Sequence, residues 1–171
     1  MENREKYTPA HIANYFLWRA WEEGVKDMTQ MKLIKLVYIA YGWYLVLNKD
    51  NERKKLFEEN IEAWRYGPVI PSIYHEFKHF GENPIKKGCY MTVLDNAPIV
   101  RYEDAGVLRI LNAEWEQYKD KNGTDLSNIT HEPNGAWYKA YGKGVNAILD
   151  DEDIKNRAID GIKNFLEKSK N

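Results

Sequence analysis

The sequence predicts a mainly α-helical fold (α+β): a helical domain around a long buried central helix, with a small antiparallel β element. Three observations carry this expectation. Residues 30–47 are apolar on nearly every side, the pattern of a helix surrounded by other elements. Three further segments repeat apolar residues every three to four positions, as amphipathic helices do. Only two short stretches, near residues 56–66 and 85–100, carry patterns that suit strands, and these supply the β element.

Residues 1–7 read as a tail, and residues 8–171 as one domain. Thr8-Pro9 opens the first helix, because Thr can cap and Pro suits the first turn. It runs to about Trp21, before Gly24, with Ile12, Phe16 and Ala20 on its apolar face. Thr29 caps the central helix, Gln30 to about Leu47, and residues 48–55 form a polar loop. A short strand ends near Tyr66, and Gly67-Pro68 and Pro71 punctuate the chain beyond it. Pro71-Ser72 starts a short helix through Phe80. Residues 90–94 and 98–100 then suggest a hairpin. Val107, Leu108, Leu111, Trp115 and Tyr118 form the stripe of a helix over about 103–121, with Gly123 as its terminator. Residues 125–131 and 136–141 suit short helical pieces. The last helix begins near Asp150-Asp151, whose acids favour a helix N-terminus, and buries Ile154, Ala158, Ile162, Phe165 and Leu166.

Composition narrows the function. The chain has 171 residues, 43% hydrophobic and 30% charged, with a net charge of −1. That near-neutral balance lacks the basic footprint of a duplex-binding protein and argues against nucleic acid as partner. The most apolar run, residues 31–47, carries Lys32 and Lys35 and is too short to span a membrane. The N-terminus has no apolar signal core. Cys89 is the only cysteine, so neither an intrachain disulfide nor a Cys-rich zinc cage can form, and a reducing cytoplasm is the simple inference. Aromatic residues reach 13%, with 6 Trp and 12 Tyr. Trp18, Trp21 and Trp43 cannot all face one stripe, so at least one should lie at a groove or contact surface.

Several residues invite chemical readings. His75-Glu76-Phe77-Lys78-His79 is a literal H-E-x-x-H, the string with which metalloproteases bind zinc and place a general base. On that reading His75 and His79 would be the metal ligands, Glu76 the base and Glu103 a distant carboxylate. Lys78 would sit near the metal and repel it, and no third His follows at metzincin spacing, so the expectation is no metal and helix-surface histidines. Ser127 lies one helical turn before His131, but no nucleophile elbow or oxyanion site accompanies the pair. Cys89 has Lys86 and Lys87 nearby, which could lower its thiol pKa, yet nothing else suggests catalysis. Gly142-x-Gly144 lacks the third glycine of a dinucleotide loop. The expectation is therefore no catalytic residue and no cofactor.

Three separated segments together are similar to the Panacea domain family, which is associated with prophages and with antitoxin roles in toxin–antitoxin pairs. The first is Met28 to Ala40, a polar start followed by Leu33-Ile34-Lys35-Leu36 and an aromatic. The second is Leu56-Phe57, then Ile61-Glu62-Ala63-Trp64-Arg65-Tyr66-Gly67-Pro68-Val69-Ile70-Pro71 and Tyr74. The third is Leu126-Ser127 with Thr130-His131-Glu132, then Ala136-Trp137 and the terminal helix. Here Pro133-Asn134-Gly135-Ala136 precedes Trp137, where the family pattern has Pro next to Trp. The resemblance implies Lys35, Trp64, Gly67 and Pro68 as motif residues. It implies a cognate toxin protein as partner, neutralised by binding and not by an enzymatic reaction.

A surface from Trp64 to Tyr74, with Trp137 nearby, would mask the toxin, and Arg65, Tyr66, Tyr74, His131 and Trp137 are the expected contacts. Gly67 and Pro68 are explained by backbone geometry alone. The alternatives are an adaptor that delivers a toxin to a protease, a zinc-dependent hydrolase, and an autoregulatory DNA binder.

Overall fold

The computed structural model describes residues 6–171; residues 1–5 of the expected tail lie outside the described residues. Seven helices are described: α1 (Pro9–Glu22), α2 (Gln30–Leu47), α3 (Pro71–Phe77), α4 (Ala105–Tyr118), α5 (Gly123–Thr130), α6 (Ala136–Tyr141) and α7 (Asp151–Lys168). Two strands, β1 (Glu62–Trp64) and β2 (Gly67–Val69), form one antiparallel hairpin. The mainly α, α+β expectation holds.

The N-termini are built from short-range chemistry. Thr29 Oγ1 accepts from the Lys32 N–H at 3.2 Å, and Asp104 Oδ1 from the Val107 N–H at 3.3 Å. Asp150 Oδ1 accepts from both Glu152 and Asp153 N–H groups. At Thr8 the direction is reversed: its own N–H donates to Nδ1 of the buried His11, 3.1 Å away. Each such cap offsets backbone donors that the helix itself leaves unpaired.

Helix α2 is the centre of the fold. Residues 32–44 are all buried, and α1, α3, α4, α5 and α7 pack around it. Gly42 makes the approach of α7 possible: an added Cβ would lie 3.1 Å from Ala158 Cβ and 3.2 Å from Ile154 Cγ2. Two lysines are buried in this helix. Lys32 Nζ donates to Asp27 Oδ1 at 2.8 Å and to the Lys119 carbonyl at 2.6 Å, so its charge is matched. The other, Lys35, belongs to the functional site. Tyr7, next to α1, is buried and donates to Asp104 Oδ2 at 2.9 Å. No described helix is long and apolar enough to cross a membrane.

The structure corrects four local expectations. The strand ending near Tyr66 pairs with Gly67–Val69 and not with residues 85–100. Pro68 fits in a strand because its missing N–H falls at a position turned away from β1. Its partner Ala63 likewise turns outward and donates to the Ala147 carbonyl at 2.8 Å. The expected pairing of residues 90–94 with 98–100 does not form. The buried side chain of Asn14 takes the backbone groups of Met91 and the carbonyl of Pro98 that such a ladder would need. Gly123 does not terminate the fourth helix. It opens α5, pressed against α2, where a Cβ would come within 3.2 Å of Lys32 N and Thr29 Oγ1. The helix begun at Pro71 ends at Phe77 and continues to Phe80 only as a tighter 3-10 turn.

Candidate partner-binding face

The hairpin turn between Trp64 and Gly67 is a small structure fixed by large neighbours. Arg65 and Tyr66 form the turn, and the left-handed backbone value falls on Gly67, with φ of 110°. A side chain there would be strained, and glycine removes that cost. Three side chains from three helices then seize alternate carbonyls along the turn. Trp137 Nε1 on α6 donates to the Trp64 carbonyl at 2.6 Å. Ser127 Oγ on α5 donates to the Tyr66 carbonyl at 2.7 Å. Lys35 Nζ on α2 donates to the Pro68 carbonyl at 2.8 Å. Groups far apart in sequence thus immobilise the motif backbone, and each leaves a carbonyl satisfied that would otherwise be desolvated.

Lys35 is the costly member. It is buried, and that burial lowers its pKa from the usual lysine value to about 7. In the unfolded chain it returns to about 10.4. Between these values the unfolded chain holds the proton and the folded protein does not, so this group makes stability rise with pH, by about 1.4 kcal/mol per pH unit. Lys35→Met should remove that contribution. The expected result is that the stability advantage of wild type over Lys35→Met grows by about 2 kcal/mol between pH 7.5 and pH 9. Urea unfolding of both proteins at the two pH values measures it, and parallel profiles would refute a neutral buried amine.

The side chains of the turn face the other way. Arg65 is exposed and Tyr66 is 59% exposed, with the guanidinium carbon 5.3 Å from the Tyr66 ring centroid. Among the described residues Arg65 makes no ion pair. Aromatic groups frame them. Trp64 meets Tyr74 edge-on at 4.8 Å, and its Nε1 donates to Glu62 Oε2 at 2.7 Å. Trp137 meets His131 edge-on at 5.2 Å and stacks on Tyr141 at 4.7 Å. The five expected contact residues are therefore gathered around one hairpin. They divide physically: Arg65 and Tyr66 are displayed, Tyr74 and His131 are half-buried supports, and Trp137 is buried as a clamp.

Sequence reasoning misses two parts of this face. Ser127 reads from the sequence as part of the third family segment and as an unsupported nucleophile beside His131. Its hydroxyl proton instead goes to the Tyr66 carbonyl, and the His131 Nδ1 lies 3.3 Å away without drawing that proton. The second part is the segment after α6. Glu62 faces Ile148 in an antiparallel bridge, and the Leu149 N–H donates to the Ile61 carbonyl at 2.9 Å. This lays residues 147–149 beside β1 as a third extended piece, with Tyr141, Val145 and Ile148 exposed near it. The spacing of Tyr141 four residues after Trp137 was the available signal.

The zinc reading finds a different geometry. His75 lies in α3 and His79 in the 3-10 turn, so the α-helical i, i+4 register is broken between them, and both are exposed. Glu103 is exposed and faces Arg101 at 3.7 Å. Cys89 is a half-buried free thiol. A cleft of about 900 Å³ is lined by residues such as Tyr7, Arg53 and Asp104 and by none of the hairpin residues.

The family model for the antitoxin SocA-like Panacea domain matches residues 33–138, which include Lys35, the hairpin, α5 and the start of α6 with Trp137. Antitoxin SocA of Caulobacter vibrioides (strain NA1000 / CB15N) is 27% identical over 158 residues, covering 85% of this chain and 79% of that protein. No solved structure matches the chain. A buried lysine and two helices that hold a Trp-Arg-Tyr-Gly-Pro turn are thus features of a chain that belongs to the antitoxin SocA-like Panacea domain family.

Proposed function

We propose that this chain binds and neutralises a partner toxin protein, and that the hairpin face makes the contact. One observation carries the reading: the turn backbone is clamped at three carbonyls while Arg65 and Tyr66 stand exposed on it. A rigid display lowers the entropy cost of association, and Arg and Tyr are residue types that concentrate binding energy at interfaces. The exposed Tyr141, Val145 and Ile148 extend this face with apolar area. Neutralisation then means covering the surface through which the toxin acts. The membership of the family and the name of its Caulobacter relative support a toxin as the partner class. The pairing takes place in the cytoplasm on this reading, consistent with a single free thiol.

The test is co-expression with the product of the neighbouring gene. The wild-type chain should restore growth and co-purify with that product. Tyr66→Ala should weaken the complex at least tenfold, about 1.4 kcal/mol, because the clamps act on the backbone and survive the change. Titration calorimetry with a circular dichroism check on folding measures this. A wild-type chain that neither restores growth nor forms a complex would sink the reading.

A further inference from the structure

A second exposed apolar feature lies on the strap that crosses α1. The buried Asn14 holds the strap at two points: its Nδ2 donates to the carbonyls of Met91 (2.9 Å) and Pro98 (2.7 Å), and its Oδ1 accepts from the Met91 N–H (2.8 Å). Tyr90 adds an edge-on contact with Trp21, ring centroids 4.9 Å apart. Between these anchors Val93 and Asn96 exchange both backbone hydrogen bonds, at 2.7 and 3.1 Å. The two residues left to make the turn are Leu94 and Asp95, both left-handed, with φ of 48° and 63°.

That turn class ordinarily takes Asn-Gly or Asp-Gly, since a branched side chain is strained at positive φ. A turn closed one residue later would have placed Asp95 and Asn96 at its centre, two residues that accept this conformation far better than leucine. Burial does not offset the strain, because Leu94 is 91% exposed. Val93 and Ile99 on the strap are also exposed, as is Trp18, one helical turn along α1 from Asn14. Of Trp18, Trp21 and Trp43, Trp18 is the exposed one.

We infer that the Leu94 turn is a docking anchor for a partner protein that offers an apolar pocket with a basic rim. A protruding leucine on a strained turn fits a concave pocket. The adjacent Asp95 makes no ion pair among the described residues and calls for a cation or N–H donors beside that pocket. The surface shares no residue with the hairpin face, so it does not depend on the proposed neutralisation.

The test begins with Leu94→p-benzoylphenylalanine in the full chain, irradiated in cells, with the same substitution at the exposed Lys163 as control. The expected result is an adduct with one other protein at position 94 and not at 163. That protein, purified, should bind Leu94→Asn at least tenfold more weakly than wild type. Asn suits the left-handed turn, so the unfolding midpoint should stay the same or rise. No adduct above the Lys163 control, an adduct made only of two copies of this chain, or wild-type binding by Leu94→Asn each overturns the inference. A fall in the unfolding midpoint of Leu94→Asn also overturns it, since packing rather than a partner would then account for the leucine.

Discussion

Glu114→Met makes the protein more stable, and by more at pH 7 than at pH 5. Glu114 lies on α4 with no exposed surface, and neither carboxyl oxygen has a hydrogen-bond partner. Burial raises its pKa well above the usual glutamate value, which favours the neutral acid in the fold. The unfolded chain releases that proton at about pH 4.3. Above that point the unfolded state binds fewer protons than the folded one, so stability falls as pH rises, until the folded-state pKa is reached. Methionine has nearly the same shape, needs no partner and carries no such penalty. The gain must therefore grow between pH 5 and pH 7. Urea denaturation at the two values checks it, and an equal gain at both, or a loss, would show that Glu114 is ionised in the fold.

The opposite effect is expected at Gly67. Gly67→Val should cost about 3 kcal/mol, combining a strained backbone with a lost buried hydrogen bond. Its new Cβ would lie 2.9 Å from Lys35 Nζ and 3.5 Å from His131 Cβ. The Lys35 amine has nowhere to retreat without releasing the Pro68 carbonyl, so one change both strains the turn and opens a clamp. The melting midpoint should fall by roughly 6–12 °C for a chain of this size. Gly142→Ala is the matched control. Gly142 follows α6 in ordinary right-handed geometry and meets nothing closer than 3.6 Å, so its change should stay within about 0.5 kcal/mol. Thermal melts by circular dichroism separate the two, and a wild-type melt for Gly67→Val would remove the turn from the architecture of the site.

The elements that local chemistry governs were legible in the sequence. Thr29 as cap and the unbroken apolar run fix α2 at Gln30–Leu47, and Asp150 does the same for α7. The hairpin was half legible. Trp64 and Tyr66 suggest a strand, but Gly67-Pro68 reads as its end. Only tertiary contacts, with Lys35 and residues 147–149 taking the outward groups, show why proline sits in β2. The contact residues Arg65, Tyr66, Tyr74, His131 and Trp137 come from family resemblance, and they meet at one place. Ser127 has no such role in the sequence, because a hydroxyl on α5 reveals its acceptor only when α5 lies against the turn. Leu94 falls in an expected strand, since nothing in a run of Val-Leu announces a left-handed backbone.

The close seating of α7 on Gly42 has a consequence for synthesis on the ribosome. Helix α2 is the most apolar element of the chain, yet Ile154 and Ala158, which cover the face at Gly42, are made long after it. Residues 147–149, which complete the hairpin on its β1 side, emerge only just before them. Until they emerge, the nascent chain carries a long uncovered hydrophobic helix and an unfinished turn, a state prone to aggregation and suited to chaperone binding. The core around α2 closes only after α7 has left the exit tunnel.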